Sequence, residues 1–432
     1  MAVAVECPNT RMLVDEPWLP SPGTRSVKAR CFRHKGFLIL TALVQGERIV
    51  ASLKPVERVG EEWRVMDAEL YEEWLEELLE GRVPFFHSSC TANPGKPYRI
   101  RGYSKGARSL GLVIHARERL FAKVMRRAEQ DDLEPLMLTY LSENTPGLAP
   151  KPYCTVFLKG GEPYLILMED VGGEEAAKIY LGKAAESIRG GDAAPIREGL
   201  IIGKAVARMH KALLTCREEW CRPEEASSRD LASWIHRLRV RASTILRLSR
   251  DPLASQASHA ILEIAGRLEE ELSPPWETVK ARIHGDLHLG QIRVKNNTAV
   301  ITDFEGEPYK HPASRLEKET PERDLACLAR SIDYAFHLGA GGKKWREGLL
   351  KPLETMKLWE QEAFKAVLKG YRMLQGLTLS LEMLRLWLAE RASYEAVYEL
   401  RSHTGLHPIP MAALIRMWRG DDPLLSMVEE LG

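Results

Sequence analysis

Apolar positions in the first ninety residues follow two periods in turn. Phe37 to Val44 and Arg48 to Leu53 have the β-rich density of strands and meet at Gln45-Gly46-Glu47, which predicts a hairpin. Leu70, Trp74, Leu75, Leu78 and Leu79 then recur at helical spacing between Ala68 and Glu80, with glutamates elsewhere. Asp67 stands where an N-cap belongs and Gly81 where the helix should stop. The reading is a packed amphipathic helix with a solvated acidic side. Asn93-Pro-Gly-Lys-Pro97 follows as a linker. Residues 98–171 read as strands around one inserted helix. Leu112 to Ile114 and Leu120 to Val124 are strand-like, and Leu133 to Leu141 is helical with Pro135 in its first turn, where no amide is needed. The apolar run Tyr164 to Met168 ends at Glu169-Asp170-Val171-Gly172-Gly173. From 174 onward the period is mainly helical. Glu198 to Leu214 and Asp230 to Arg250 are clear helices, with several more between Trp345 and Glu399. A short β segment at 280–303 interrupts them. The predicted units are a cap at 1–92, a β-rich part at 93–171 and a mainly helical part at 172–432.

Composition bounds what these units can do. A chain of 432 residues holds two or three structural units. Apolar content of 44% and charged content of 28% are ordinary for a globular protein. A formal net charge of +1 gives no overall attraction to nucleic acid or to an anionic membrane, so neither is expected as a partner. No run of about 18 apolar residues offers a transmembrane helix. The start lacks the charged region of a signal peptide, and a cytoplasmic protein is expected. Seven cysteines without a Cys-x-x-Cys pair argue against structural zinc, and their odd number against a complete disulfide framework. Scarce Asn and Gln beside plentiful Glu, Arg and Lys fit a thermophile. In a hyperthermophile an internal disulfide is compatible even with the cytosol.

The chemistry concentrates in Arg282-Ile-His284-Gly-Asp286-Leu-His288-Leu-Gly-Gln291 and Ile301-Thr-Asp303-Phe-Glu305-Gly-Glu307-Pro308. Ile292 to Val294 and Ala299 to Ile301 flank the turn sequence Lys295-Asn-Asn-Thr298. Pairing 294 with 299 sets 292 opposite 301 and 291 opposite 302, so Gln291 and Asp303 lie side by side. An amide oxygen and a carboxylate are hard ligands suited to Mg²⁺ on substrate phosphates. Asp286, five residues before Gln291, is free to face a hydroxyl nucleophile. That division of labour is the one a kinase-type catalytic loop uses.

His284-Gly-Asp286-x-x-x-x-Gln291 resembles the catalytic loop of aminoglycoside phosphotransferase-like kinases, and Asp303-Phe-Glu their metal motif. The longer string resembles maltokinases, which phosphorylate maltose at its anomeric carbon with ATP. Gly203-x-x-x-Ala207-x-x-His210, Pro321-x-Arg323-Asp324…Arg330-Ser-Ile-Asp333 and Tyr394-Glu-Ala-Val-Tyr398-Glu399…Pro408-Ile-Pro410 resemble the same family. The likeness covers most of the chain from about residue 105. It implies an α+β, bilobal protein-kinase-like fold with an N-terminal α+β cap subdomain and a mainly helical C-terminal lobe. Asp286 becomes the base, Gln291, Asp303 and Glu305 the magnesium ligands, and His284 and Asp324 the braces of the loop. Lys123 would hold nucleotide phosphates with Glu134 orienting it. Ser109 lies in a loop near them, and Met168, Glu169 and Asp170 form a hinge that reads adenine. The glycines at 106 and 111 are too far apart for a Gly-x-Gly-x-x-Gly loop, and no Walker sequence occurs. His288, Arg323, Tyr394 and Glu399 are the sugar candidates; His210 reads as a core histidine.

Two departures leave the sugar open. Ala412 stands where maltokinases carry an Arg on the disaccharide, and Trp18-Leu-Pro-Ser-Pro-Gly23 replaces a Trp-Phe-x-Gly-Lys segment. A glucosamine or glucose kinase of the same family is therefore the alternative to a maltokinase. Gly285-Asp286-Leu-His288 also resembles a metallophosphoesterase motif, but the companion Asp-x-His and Gly-Asn-His are missing. A non-catalytic pseudokinase scaffold is opposed by Lys123, Asp286, Gln291 and Asp303 all being present. The expected partners are a sugar and ATP, with a trehalose-converting enzyme as a further candidate, and the expected state is a monomer or small homo-oligomer.

Overall fold

The computed structural model describes residues 3–5, 29–44, 47–59, 62–92, 94–105, 109–125, 127–128, 132–190, 194–272, 278–307, 314, 316–341, 346, 348–351 and 353–430. Packing divides the chain into two units. One comprises Met1–Glu143 with Pro150–Val171, the other Asn144–Ala149 with Gly172–Gly432.

The first unit holds two antiparallel six-stranded sheets. The first sheet runs β1 (Val3–Val5), β2 (Ala29–His34), β3 (Phe37–Val44), β4 (Glu47–Val59), with β5 (Glu62–Asp67) also on β4. The second takes β6 (Phe86–Cys90), β7 (Arg99–Lys105), β8 (Ser109–His115) and β9 (Arg119–Met125). β10 (Arg127–Ala128) returns to β4 of the first sheet, and β11 (Pro152–Leu158) and β12 (Pro163–Glu169) complete the second in the order β6-β11-β12-β9-β8-β7. The hairpin expected after Phe37 forms with Val44 opposite Glu47; its turn at 45–46 lies outside the described residues. Ile39 and Val50, Trp74 and Leu78, and Leu112, Val124 and Leu165 share one apolar core. About 25 cal/mol per Å² of apolar surface removed from water holds them there.

The helix after Asp67 differs from expectation. Asp67 ends β5 and makes no side-chain cap; residues Ala68–Leu70 form a 3-10 turn, and Tyr71 is extended. Helix α1 begins at Glu72 and runs to Leu79. The cause is tertiary: Glu69 is buried and accepts the hydroxyl of Tyr164 on β12, which ties the turn to the sheet. Past it the pattern holds, with Trp74, Leu75, Leu78 and Leu79 buried. Helix α2 (Glu134–Asn144) carries Pro135 in its first turn as expected. A Cys90–Cys154 disulfide joins β6 to β11.

In the second unit β13 (Glu174–Glu175) leads into helices α3 (Ala176–Ile188) and α4 (Ile196–Leu214). After β14 (Glu224–Glu225), α5 (Ser228–Leu248) starts at a capping box between Ser227 and Asp230, and α6 (Pro252–Glu271) at an Asp251 cap followed by Pro. β15 (Val279–Lys280) pairs with β14, while β16 (Ile292–Lys295) sits between β13 and β17 (Thr298–Ile301). The remaining helices are α7 (Glu322–Gly339), α8 (Glu354–Arg372), α9 (Leu381–Ser402), α10 (Pro408–Arg419) and α11 (Pro423–Glu430). A Cys216–Cys221 disulfide closes the loop after α4. Cys31 is also disulfide-bonded, and Cys327 on α7 is a free, buried thiol. Among the described residues no helix is long and apolar enough to cross a membrane.

Helices α4 and α8 approach backbone to backbone, and glycine permits it. A Cβ on Gly203 would lie 2.0 Å from the Val367 carbonyl oxygen and 2.7 Å from the Tyr371 amide nitrogen. Neither atom can move without shifting α8. Gly203→Ala is therefore expected to destabilise the protein by roughly 2–3 kcal/mol, the cost of forcing a methyl into a packed contact. Its urea midpoint should fall accordingly. An unchanged midpoint would mean that α4 and α8 do not meet this closely.

Candidate active site

The β16–β17 hairpin has the register read from the sequence. Ile292 pairs with Ile301, Val294 with Ala299, and Lys295 with Thr298. Asn296 and Asn297 form the two-residue turn at φ +48° and +62°, the left-handed region in which asparagine is at home. The ladder continues past the strands, since Thr302 N–H donates to the Gln291 carbonyl at 2.9 Å. Gln291 and Asp303 consequently meet, with the amide Nε2 of Gln291 2.6 Å from Asp303 Oδ2. Asp303 itself is left-handed at φ +67°, a conformation that costs about 1–3 kcal/mol and needs outside support. Its neighbours on both sides are held by one residue. His284 Nε2 donates to the Thr302 carbonyl at 3.0 Å, and its ring lies 4.9 Å from that of buried Phe304. Glu305, half-buried, follows two residues on.

The loop before the hairpin is fixed from α7. Asp324, fully buried in its first turn, accepts the amides of His284 and Gly285, each at 2.9 Å, and His210 Nε2 at 3.1 Å. His210 reaches Tyr371 Oη through its other nitrogen at 3.0 Å. Burial raises the Asp324 carboxyl, but the hydrogen bond and charge of His210 and the Gly285 amide outweigh it and hold the group below its usual value. Asp324 thus bonds the loop through the His284 and Gly285 amides, and His210 is its buried hydrogen-bond partner.

Arg323 departs from its assignment. It was read as a sugar contact, yet it is 1% exposed and does not line the cavity beside Asp286. Its guanidinium donates to the Gly285 carbonyl at 2.9 Å and to Glu307 at 2.6 Å, and pairs with Glu319 at 2.9 Å. Each residue of α7 is rotated about 100° around the axis from the one before it. With Asp324 directed at the loop amides, its neighbour is drawn under the loop instead.

Beside Asp286 lies a cavity of about 380 Å³, lined among others by His288, Tyr334, Arg391, Tyr394, Glu395 and Glu399. Asp286 Oδ1 pairs with Arg391 Nη1 at 2.8 Å. His288 Nδ1 accepts the Gly290 amide at 3.1 Å, so Nε2 carries the proton. Burial lowers the His288 imidazole, and the charges of Arg391 and His284 add to this against the opposing pull of Asp286, so the neutral ring is favoured. Tyr394 packs its ring 4.9 Å from the Arg391 guanidinium. Glu399 accepts the Tyr334 hydroxyl at 3.1 Å and that of Thr404. It is 7% exposed, and no cation among the described residues pairs with it.

Sequence reading missed Arg391, Glu395, Glu307 and Tyr334. A signal did exist for part of this set. Arg391, Tyr394, Glu395, Tyr398 and Glu399 recur at i, i+3, i+4, i+7 and i+8, one continuous face of α9. A stripe of charged and aromatic residues on a buried helix requires partners.

The nucleotide candidates lie in the first unit. Lys123 on β9 and Glu134 on α2 are both buried and paired at 2.7 Å. Ser109 opens β8 opposite Met125. Met168 is buried at the end of β12, the Glu169 amide donates to Lys151 at 2.9 Å, and the Asp170 amide to Arg119 at 3.1 Å. The Asp170 carboxylate accepts from Arg119 at 2.7 Å. Residues 106–108, Arg126, Trp18–Gly23 and Pro308 lie outside the described residues. Ala412 is fully buried in α10.

No protein-family model matches the chain. Solved structures do. A glucosamine kinase in complex with glucosamine, ADP and inorganic phosphate aligns at a TM-score of 0.66 and 17% identity, covering 98% of this chain and 100% of that one. A second glucosamine kinase crystal form aligns at 0.69 and 17% identity over 93% and 95%. An amicoumacin kinase in complex with AMP-PNP and Ca²⁺ aligns at 0.50 and 14% identity over 84% and 98%. The chain has the protein-kinase-like fold of these proteins, with a sheet-rich N-terminal and a helical C-terminal part.

Asp324 makes a measurable claim on stability. A carboxyl held below its ordinary 3.8 when folded stabilises at pH above that value and loses the contribution as pH falls through the lower folded value. Asp324→Asn should cost about 1–3 kcal/mol at neutral pH, the range for an impaired buried hydrogen-bonded charge. In urea titrations its deficit against wild type should shrink below about pH 4, following the carboxyl's own titration. A deficit independent of pH would show that the charge on Asp324 does not hold the loop.

Proposed function

We propose that the protein is an ATP- and Mg²⁺-dependent sugar kinase. Asp286 orients an acceptor hydroxyl and takes its proton; the oxygen bonds to the γ-phosphorus as the bond to the β-phosphate oxygen breaks and ADP leaves. The observation that carries this reading is the cavity beside Asp286, next to a hairpin that sets Gln291 against Asp303. Gln291 and Asp303 fit a hard divalent ion by the chemistry of their donors: the hairpin sets the Gln291 side chain against the Asp303 carboxylate, where it donates Nε2–H, and the amide Oε1 and carboxylate oxygens are hard ligands; Glu305 would be the further one. Such an ion supplies charge neutralisation to the phosphates. Lys123, fixed by Glu134, contributes a buried cation for the nucleotide phosphates, with Ser109 near it and the chain at Met168, Glu169 and Asp170 for the base.

The acceptor we favour bears an amine, as glucosamine does. Glu399 is a buried carboxylate with hydroxyl partners and, among the described residues, no cation, and an ammonium group is its natural complement. His288, through Nε2–H, and Tyr394 supply a donor and an aromatic face for a pyranose. The fold shared with a glucosamine kinase supports this choice. Maltose is the second reading, supported by the maltokinase-like catalytic string; the buried Ala412 in place of an arginine counts against it.

Purified protein with ATP, Mg²⁺ and a panel of mono- and disaccharides tests the reading directly. Phosphorylation of an amino sugar is expected, whereas turnover of maltose alone would move the assignment to the second reading. Failure to phosphorylate any sugar would remove both. Asp286→Asn should lower kcat by about 10²–10⁴-fold, the usual contribution of general acid–base catalysis, with nucleotide binding kept. Glu399→Gln should raise KM for the amino sugar about tenfold, the loss of roughly 1.4 kcal/mol of charge-assisted bonding, and leave KM for ATP unchanged.

A further inference from the structure

Arg391, which the sequence did not single out, pairs with Asp286 itself. Its Nη1 lies 2.8 Å from Asp286 Oδ1 and 2.9 Å from Glu307 Oε1, and its Nε lies 3.1 Å from Glu395 Oε1. The side chain is 7% exposed and packs over the Tyr394 ring. The carboxylates that hold it are held in turn from α7. Glu307 Oε1 also receives Arg323 at 2.6 Å, and Glu395 Oε2 receives Arg330 Nε at 3.0 Å.

We propose that Arg391 is a positioning residue for phosphoryl transfer, gripping one oxygen of Asp286 so that the other is presented to the acceptor hydroxyl. This rests on Asp286 being the base. Asp286 stands on a loop, and a carboxylate there rotates about χ1 and χ2 unless something stops it. A guanidinium fixed by hydrogen bonds to Glu307 and Glu395 does so through its ion pair with Asp286, because its rigid plane holds the charge in one place. A lysine ammonium has no such plane and cannot hold Asp286, Glu307 and Glu395 in the same directions. The role is geometric: Arg391 aims a group and transfers no proton.

A double-mutant cycle with chemical rescue tests it. Arg391→Ala and Arg391→Lys are expected to lower kcat about 10²-fold, the usual penalty for misplacing a reacting group by about 1 Å, with KM for ATP unchanged. Guanidinium ion added to Arg391→Ala should restore part of kcat. Arg391→Ala combined with Asp286→Asn should be no slower than Asp286→Asn alone, since the two residues act as a unit. Should Arg391→Ala fail to fold, Arg391→Lys, which keeps the buried charge, carries the same cycle. Losses that multiply, or a folded Arg391→Lys with wild-type kcat, overturn the role of Arg391 and leave Asp286 as base. Full turnover by Asp286→Asn would remove the base, and this proposal with it.

Discussion

A guanidinium cannot shed its charge, and several are buried in the second unit. Arg323, Arg330, Arg391 and Arg416 are each 7% exposed or less. Each therefore requires carboxylates within reach, and the partners come from different elements. Arg330 on α7 meets Asp333 at 2.7 Å and Glu395 of α9 at 3.0 Å. Arg416 on α10 meets Asp333 at 3.0 Å and Asp422 at 3.2 Å. Replacing such a web by apolar side chains often leaves a protein equally stable, whereas removing one member is costly. What the web achieves here is registration of α7, α9 and α10. Slide any one helix by a turn, about 5.4 Å, and a buried arginine loses its acid.

Glu360 shows how far the balance is tuned. It is buried beside Asp333, and burial together with that neighbour's charge pushes its carboxyl well above the usual range. Asp333, which burial alone would raise, is instead held low by Arg330 and Arg416. Two neighbouring buried carboxyls are thus shifted in opposite directions, Asp333 downward by the two guanidiniums and Glu360 upward by burial and the charge of Asp333. The same web reaches the loop through Glu395, Arg391 and Asp286, so the acid proposed as base is positioned by the helical core.

Local signals were legible in the sequence where one short segment decided them. The Asn296-Asn297 turn, the pairing of 292 with 301 and the contact of Gln291 with Asp303 all follow from one hairpin. Asp324 on the loop amides and Lys123 against Glu134 were implied by the resemblance of their motifs to kinases rather than by any local period. Long-range decisions were hidden. Arg391 meets Asp286 across 105 positions, and no period links them. The start of α1 moved because Tyr164, 95 residues on, claims Glu69. Arg323 looked like a ligand because a charged residue beside a motif reads as surface; Glu307, Glu319 and Gly285 bury it instead.

The acceptor question reduces to charge in the cavity. Its lining includes the carboxyl groups of Asp286, Glu175, Glu395 and Glu399, while Arg391 is its guanidinium and His288 favours the neutral ring. Glu395 is shared with Arg330 behind the wall, and Asp286 with Arg391. Among the described residues, Glu399 has hydroxyl partners and no cation. A neutral sugar satisfies that carboxylate with another hydroxyl, which exchanges one water-like bond for another and gains about 1 kcal/mol. An ammonium gains a charge-assisted bond roughly twice as strong in a site where the dielectric is low. Under the proposed function, a carboxylate without a cation among the described residues is what separates an ammonium-bearing acceptor from a neutral one.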